Sequence, residues 1–186
     1  MKIIIRNIAA VLALSTCACN AEPKPKPVNE PTNPANKDLT TLSKEELAKQ
    51  LDKEAYYVCV MGGTERPFAN KYWNNHEAGV YVDVISGVPL FASQHKFESG
   101  SGWPSFFQPL EKGTVKEIKD TSHGMTRTEV VATKSGAHLG HVFDDGPAAK
   151  TGLRYCIKSA ALRFVPVSDL KKEGLEKYQP LFDAKK

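Results

Sequence analysis

Cysteine is scarce in this chain of 186 residues. There are four, and an even count in an exported chain first suggests two disulfides. Their positions argue otherwise: Cys17 and Cys19 fall at the extreme N-terminus, leaving only Cys59 and Cys156 further on. Long apolar runs are also missing. The run at residues 8–14 (IAAVLAL) is too short to span a bilayer. No cluster of Lys and Arg stands out, and the formal net charge is only +4, so nothing points to nucleic acid. There is no GxGxxG, no phosphate loop, no βαβ alternation and no internal repeat. What is present is ordinary: 41 % hydrophobic and 25 % charged residues, the composition of a globular protein.

The N-terminus reads as an export signal. Lys2 and Arg6 precede the short apolar run, and small residues follow it. Leu14-Ser15-Thr16-Cys17 resembles a bacterial lipobox, with Cys17 as the lipidated residue. Cys19 after Ala18, or ordinary cleavage after Ala21, are alternatives. Residues 20–38 hold five of the 12 prolines and almost nothing apolar, which predicts a disordered, extended tether. The expected organisation is a signal peptide with lipobox-like cysteine at 1–19 and a Pro-rich tether at 20–38. A folded domain follows at 39–167, then a polar tail or short helix at 168–186.

Within the domain, Ser43 and Glu46 have capping-box spacing. Leu42, Leu47 and Leu51 form an apolar stripe. Residues 79–85 (GVYVDVI), 126–132 (TRTEVVA) and 155–165 (YCIKSAALRFV) read as strands, the last as a pair or a bent strand. Dense glycine punctuation without βαβ alternation predicts a mainly antiparallel β domain with helices near its start.

Three segments carry chemistry: residues 100–106 (GSGWPSF), 138–147 (HLGHVFDDGP) and 152–161 (GLRYCIKSAA). Each alone has a plain structural reading. Together they supply a thiol, an arginine that favours thiolate, two imidazoles and an aromatic wall, a set suited to thiol chemistry on a small, partly apolar substrate. With residues 63–68, 89–93, 96–100 and 123–129, they resemble the methionine-R-sulfoxide reductase family (the MsrB type). The resemblance runs from about Leu42 to Pro166.

The resemblance implies a mainly β fold of two antiparallel sheets with short N-terminal helices. It also implies reduction of the R epimer of methionine sulfoxide, protein-bound or free. By the same resemblance Cys156 is the nucleophile that becomes a sulfenic acid. His141 protonates the sulfoxide oxygen, with His138 orienting His141 or sharing a water, and both histidines contact the substrate. Arg154, two residues before Cys156, faces the same side of a strand and favours the thiolate. Asp145 orients Arg154 or substrate, and Trp103 receives the substrate's methyl group.

Three departures from the family pattern stand out. Many relatives hold zinc with two Cys-x-x-Cys pairs; the matching positions here are Asp83, Ser86, Ala132 and Ser135, so no zinc and no other metal or cofactor is expected. Relatives often carry a resolving cysteine where Ser101 stands, which leaves Cys59 as the expected resolving thiol. Lys158 occupies a place where relatives usually have Asn, and the sequence does not decide whether it faces Cys156 or solvent. A thiol peroxidase and a non-catalytic binding domain are the competing readings. The expected partners are oxidised proteins or methionine sulfoxide, a thioredoxin-like reductant and the membrane through a lipid anchor. No nucleic acid is expected, and the protein is expected to be a monomer of the periplasm or cell envelope.

Overall fold

The computed structural model describes residues 38–183. The expected export signal, with Cys17 and Cys19, and the tether up to residue 37 lie outside the described residues. Two short helices open the domain. In α1 (Lys44–Gln50) the Ser43 hydroxyl accepts from the Glu46 N–H at 3.3 Å, and the Glu46 carboxylate accepts from the Ser43 N–H at 2.8 Å, completing the capping box. Asp52 caps α2 (Lys53–Cys59) through the Ala55 N–H at 2.7 Å. No helix among the described residues is long and apolar enough to cross a membrane.

The rest is β, in two antiparallel sheets. The strands are β1 (Gly79–Asp83), β2 (Pro89–Ala92), β3 (Lys96–Phe97), β4 (Ser105–Phe106), β5 (Val115–Asp120), β6 (Arg127–Ala132), β7 (His138–Phe143), β8 (Arg154–Ile157) and β9 (Leu162–Pro166). The smaller sheet has the order β2-β1-β9 and the larger β3-β4-β8-β7-β6-β5. The stretch read as a bent strand or strand pair is therefore β8 and β9, separated by a 3-10 turn at Ser159–Ala161 and belonging to different sheets.

The sheets meet through aromatic rings. Tyr81 and Phe91 of the smaller sheet lie 5.1 and 4.5 Å from Phe106 of the larger one, centroid to centroid. Every residue of β1 is buried. Strand alternation sends Tyr81 to one face and Val80 and Val82 to the other, so the smaller sheet needs cover on both sides. The second cover comes from the chain after β9. Leu170, Leu175 and Tyr178 form a second core with Val80, Val82 and Val165. The stretch expected to be a polar tail or short helix contains 3-10 turns and a short helix, α3 (Pro180–Asp183), and packs against β1 through Leu170, Leu175 and Tyr178.

Candidate active site

β8 lies between β4 and β7 in the larger sheet. Cys156 pairs with Ser105 on one side and His141 on the other. Directly opposed residues project to the same face, so the pairing alone brings an imidazole beside the thiol. Arg154 and Cys156 alternate on the strand, and Lys158 continues that alternation just beyond its end. All three line one cavity of about 680 Å³, together with Trp103, His138, His141, Phe143 and other residues. Lys158, whose direction the sequence left open, thus faces inward.

Histidines three residues apart would point to opposite faces of a regular strand. A bulge in β7 prevents this: Val130 pairs with Gly140 and Val131 with His138, so Leu139 is the extra residue. Both imidazoles reach the cavity, their centroids 5.6 Å apart. Gly140 permits the distortion. Its φ is +147°, and a Cβ there would collide with the Cys156 carbonyl oxygen.

Carboxylates hold both rings. His138 Nδ1 lies 2.6 Å from Glu129 and His141 Nε2 lies 2.8 Å from Asp120. An ionised carboxylate only accepts, so these nitrogens carry the hydrogen and the tautomers are fixed. Burial lowers the His141 pKa, while its bond to Asp120 pulls the other way. Hydrogen bonds from Ser122 and His141 hold Asp120 far below the usual carboxylate range. Asp120 also accepts from Arg127 at 2.7 Å. The sequence reading missed Asp120, Arg127 and Glu129 as site residues. The alternation of Arg127 and Glu129 in residues 123–129, on a strand beside the histidines, was the available signal.

Arg154 donates two 2.8 Å bonds to Asp145, in a planar fork. Its guanidinium lies 4.4 Å from the centre of the Phe143 ring. Ser101 Oγ lies 3.8 Å from Cys156 Sγ. Lys158 Nζ lies 3.9 Å above the Trp103 ring centre. Burial pushes the Lys158 pKa down, opposed by the nearby Cys156 and Glu65.

Cys59 is not brought to this cavity. It ends α2 within the main core, and its sulfur lies 4.0 Å from the Ala160 carbonyl oxygen. Burial, reinforced by Asp83, Asp52 and Glu65, raises its thiol pKa steeply. Both cysteines of the domain are free thiols.

The four positions matching the zinc pairs form two hydrogen-bonded turns. Asp83 accepts from the Ser86 hydroxyl and from the Ile85 N–H. Ser135 accepts from the Ala137 N–H at 3.2 Å. One already bonded carboxylate, two hydroxyls and a methyl group do not fit zinc. Both turns are tied to the start of the domain, because Leu39 N–H donates to Ile85 and Lys134 pairs with Asp38 at 2.6 Å.

The cavity thus gathers a strand-borne thiol, two cations beside it, an imidazole pair with fixed tautomers and an aromatic wall. Comparison with known families finds the SelR domain matching residues 51–166, most of the described chain and all of this cavity. The SelR domain is the methionine-R-sulfoxide reductase domain. The chain belongs to the MsrB family and is an oxidoreductase, a peptide-methionine (R)-S-oxide reductase.

Proposed function

We propose that the reaction runs through Cys156 in the cavity floored by β8. The observation that carries this reading is the alternation of Arg154, Cys156 and Lys158 toward one cavity, with His141 directly opposite the thiol. The Cys156 thiolate attacks the sulfoxide sulfur. The sulfur–sulfur bond so formed breaks as oxygen passes to Cys156, whose sulfur is oxidised by two electrons to the sulfenic acid. The substrate sulfur is reduced by two and leaves as the thioether. One proton is consumed at the oxygen, supplied by His141 with His138 beside it. Trp103 receives the methyl group of the substrate, and Asp145 holds Arg154 in its orientation.

A thiol attacks the Cys156 sulfenic acid, releasing water and leaving a disulfide to Cys156. Cys59 is the intramolecular candidate. It reaches Cys156 only after the last turn of α2 leaves the Ala160 carbonyl, so this step is gated by a local opening. A thioredoxin-like reductant then regenerates both thiols. The domain works without zinc, its two turns held by the bonds around Asp83 and Ser135. The enzyme works as a monomer. The N-terminal signal, with lipidation at Cys17 or Cys19, places the enzyme at the cell envelope, where it repairs oxidised exported proteins.

Epimer-resolved turnover, with dithiothreitol and with a thioredoxin-like protein, tests the reading. The R epimer is consumed and the S epimer is not, and Cys156→Ser lowers turnover by roughly 10³-fold or more. Retained turnover in that variant would overturn the mechanism. One equivalent of substrate without reductant should remove both domain thiols and leave a Cys59–Cys156 disulfide. A persisting Cys156 sulfenic acid with Cys59 still free would assign recycling to external thiols alone.

A further inference from the structure

We propose that Lys158 is a further catalytic residue. Its ammonium rests on the Trp103 ring in the free enzyme and moves to the sulfoxide oxygen when the substrate methyl takes its place on the indole. This rests on the reading of Trp103 as the methyl wall. Three basic side chains other than histidine line the cavity: Arg127, Arg154 and Lys158. Arg127 is bound to Asp120, and Arg154 is held by two bonds to Asp145. No carboxylate among the described residues lies within ion-pairing distance of Lys158 Nζ, and its contact is the indole face at 3.9 Å. The Lys158 residue is only 7 % exposed.

A buried ammonium with no carboxylate within ion-pairing distance is costly, and a ring face compensates only part of that cost. Its four-carbon stem is flexible, whereas the fork of Arg154 is fixed. Of the three, Lys158 is therefore the cation able to move. The ring it covers is the surface an apolar methyl group seeks, so substrate and ammonium compete for it. The displaced ammonium finds its anion in the reaction itself. As the thiolate attacks sulfur, negative charge builds on the sulfoxide oxygen, and a donor held beside it stabilises that charge. Lys158 donates a hydrogen bond and keeps its proton. The proton of the sulfenic acid still comes from the histidine pair. The bonds from the substrate sulfur to oxygen and to Cys156 break as the bond from oxygen to Cys156 forms.

The test compares full-chain wild type with Lys158→Met, Lys158→Asn and Lys158→Arg, using N-acetyl-methionine-(R)-sulfoxide and dithiothreitol. Lys158→Met should lower kcat by roughly 10²-fold, while KM holds or falls because the indole is uncovered. Lys158→Arg should recover part of kcat, and Lys158→Asn, which keeps a neutral donor, should fall between Met and Arg. In a Trp73→Phe, Cys156→Ser background, substrate should change Trp103 emission, and Lys158→Met should reduce that change. A kcat for Lys158→Met within about twofold of wild type would overturn the role of Lys158 and leave the reductase mechanism standing. A KM that rises as far as kcat falls would also overturn it. Failure of wild type itself to reduce the R epimer would overturn both.

Discussion

Ser101 holds its hydroxyl 3.8 Å from the Cys156 sulfur, at the position where many relatives carry the resolving cysteine. A disulfide needs about 2.05 Å between sulfurs, a gap that a rotation of either side chain narrows without moving a helix. Ser101→Cys should therefore give a disulfide between position 101 and Cys156 after one equivalent of the R-sulfoxide. Non-reducing peptide mapping checks this, and a sulfenic acid persisting on Cys156 would show that the turn cannot supply the geometry. The wild-type route through Cys59 has further to travel, because that thiol is packed against Ala160. At this scale the sequence was informative where strand alternation or a specific motif applied: Cys156, Arg154, Trp103 and both histidines do share one cavity. It was silent where placement depends on packing. Nothing in the spacing of Cys59 says that the last turn of α2 faces the core, and the partners of the histidines come from β5 and β6 through pairings that one strand read alone does not reveal.

The bulge in β7 is the element on which the imidazole pair depends. It turns His138 to the face of His141, and it needs a residue that tolerates the Gly140 backbone and the nearness of the Cys156 carbonyl. Gly140→Ala should cost on the order of 1–3 kcal/mol. It should also lower kcat by more than about tenfold, because relief of the collision shifts the nucleophile's own peptide. Urea midpoints and R-epimer turnover measured together check this. A loss of stability with unchanged kcat would mean that the strands absorb the clash away from Cys156. The elements that local signals mark were legible: the capping box of α1, and the β-branched and aromatic residues of β1, β6, β8 and β9. The two-residue strands β3 and β4 were not, since two residues carry no period. β5 (VKEIKD) is largely exposed and polar, so its strand character comes from pairing with β6 along its whole length. The packing of the C-terminal stretch was not legible for the same reason. Leu170, Leu175 and Tyr178 are sparse in a polar sequence, and only the outer face of β1 gives them a place.

For the whole molecule, opposed titrations set how stability follows pH. Asp38, Glu46, Glu111, Asp120 and Asp145 all have folded pKa values below their ordinary ones, through hydrogen bonds to the ionised carboxylates. Their stabilisation is complete above about pH 5 and is lost as pH falls through the folded values. Glu65 runs the other way. Burial raises it to about 7, although its carboxylate accepts from Ser159 N–H at 2.5 Å and Ala160 N–H at 2.9 Å. The folded chain keeps this proton where the unfolded chain has released it, so stability declines as pH rises from about 4.5 to 7 and is level above. His95 and His141 are both lowered by burial. The folded chain resists protonating them, so stability is lost as pH falls below about 6.5. Between pH 5 and 7 the glutamate and the histidines therefore act on stability in opposite directions. Glu65→Gln removes one side of this balance. Its midpoint should climb with pH across the window more steeply than that of wild type, whatever the absolute cost of the lost acceptor. Parallel curves for the two proteins would show that Glu65 titrates as an exposed glutamate does, and that its hold on the turn after Lys158 is the same at pH 5 as at pH 7.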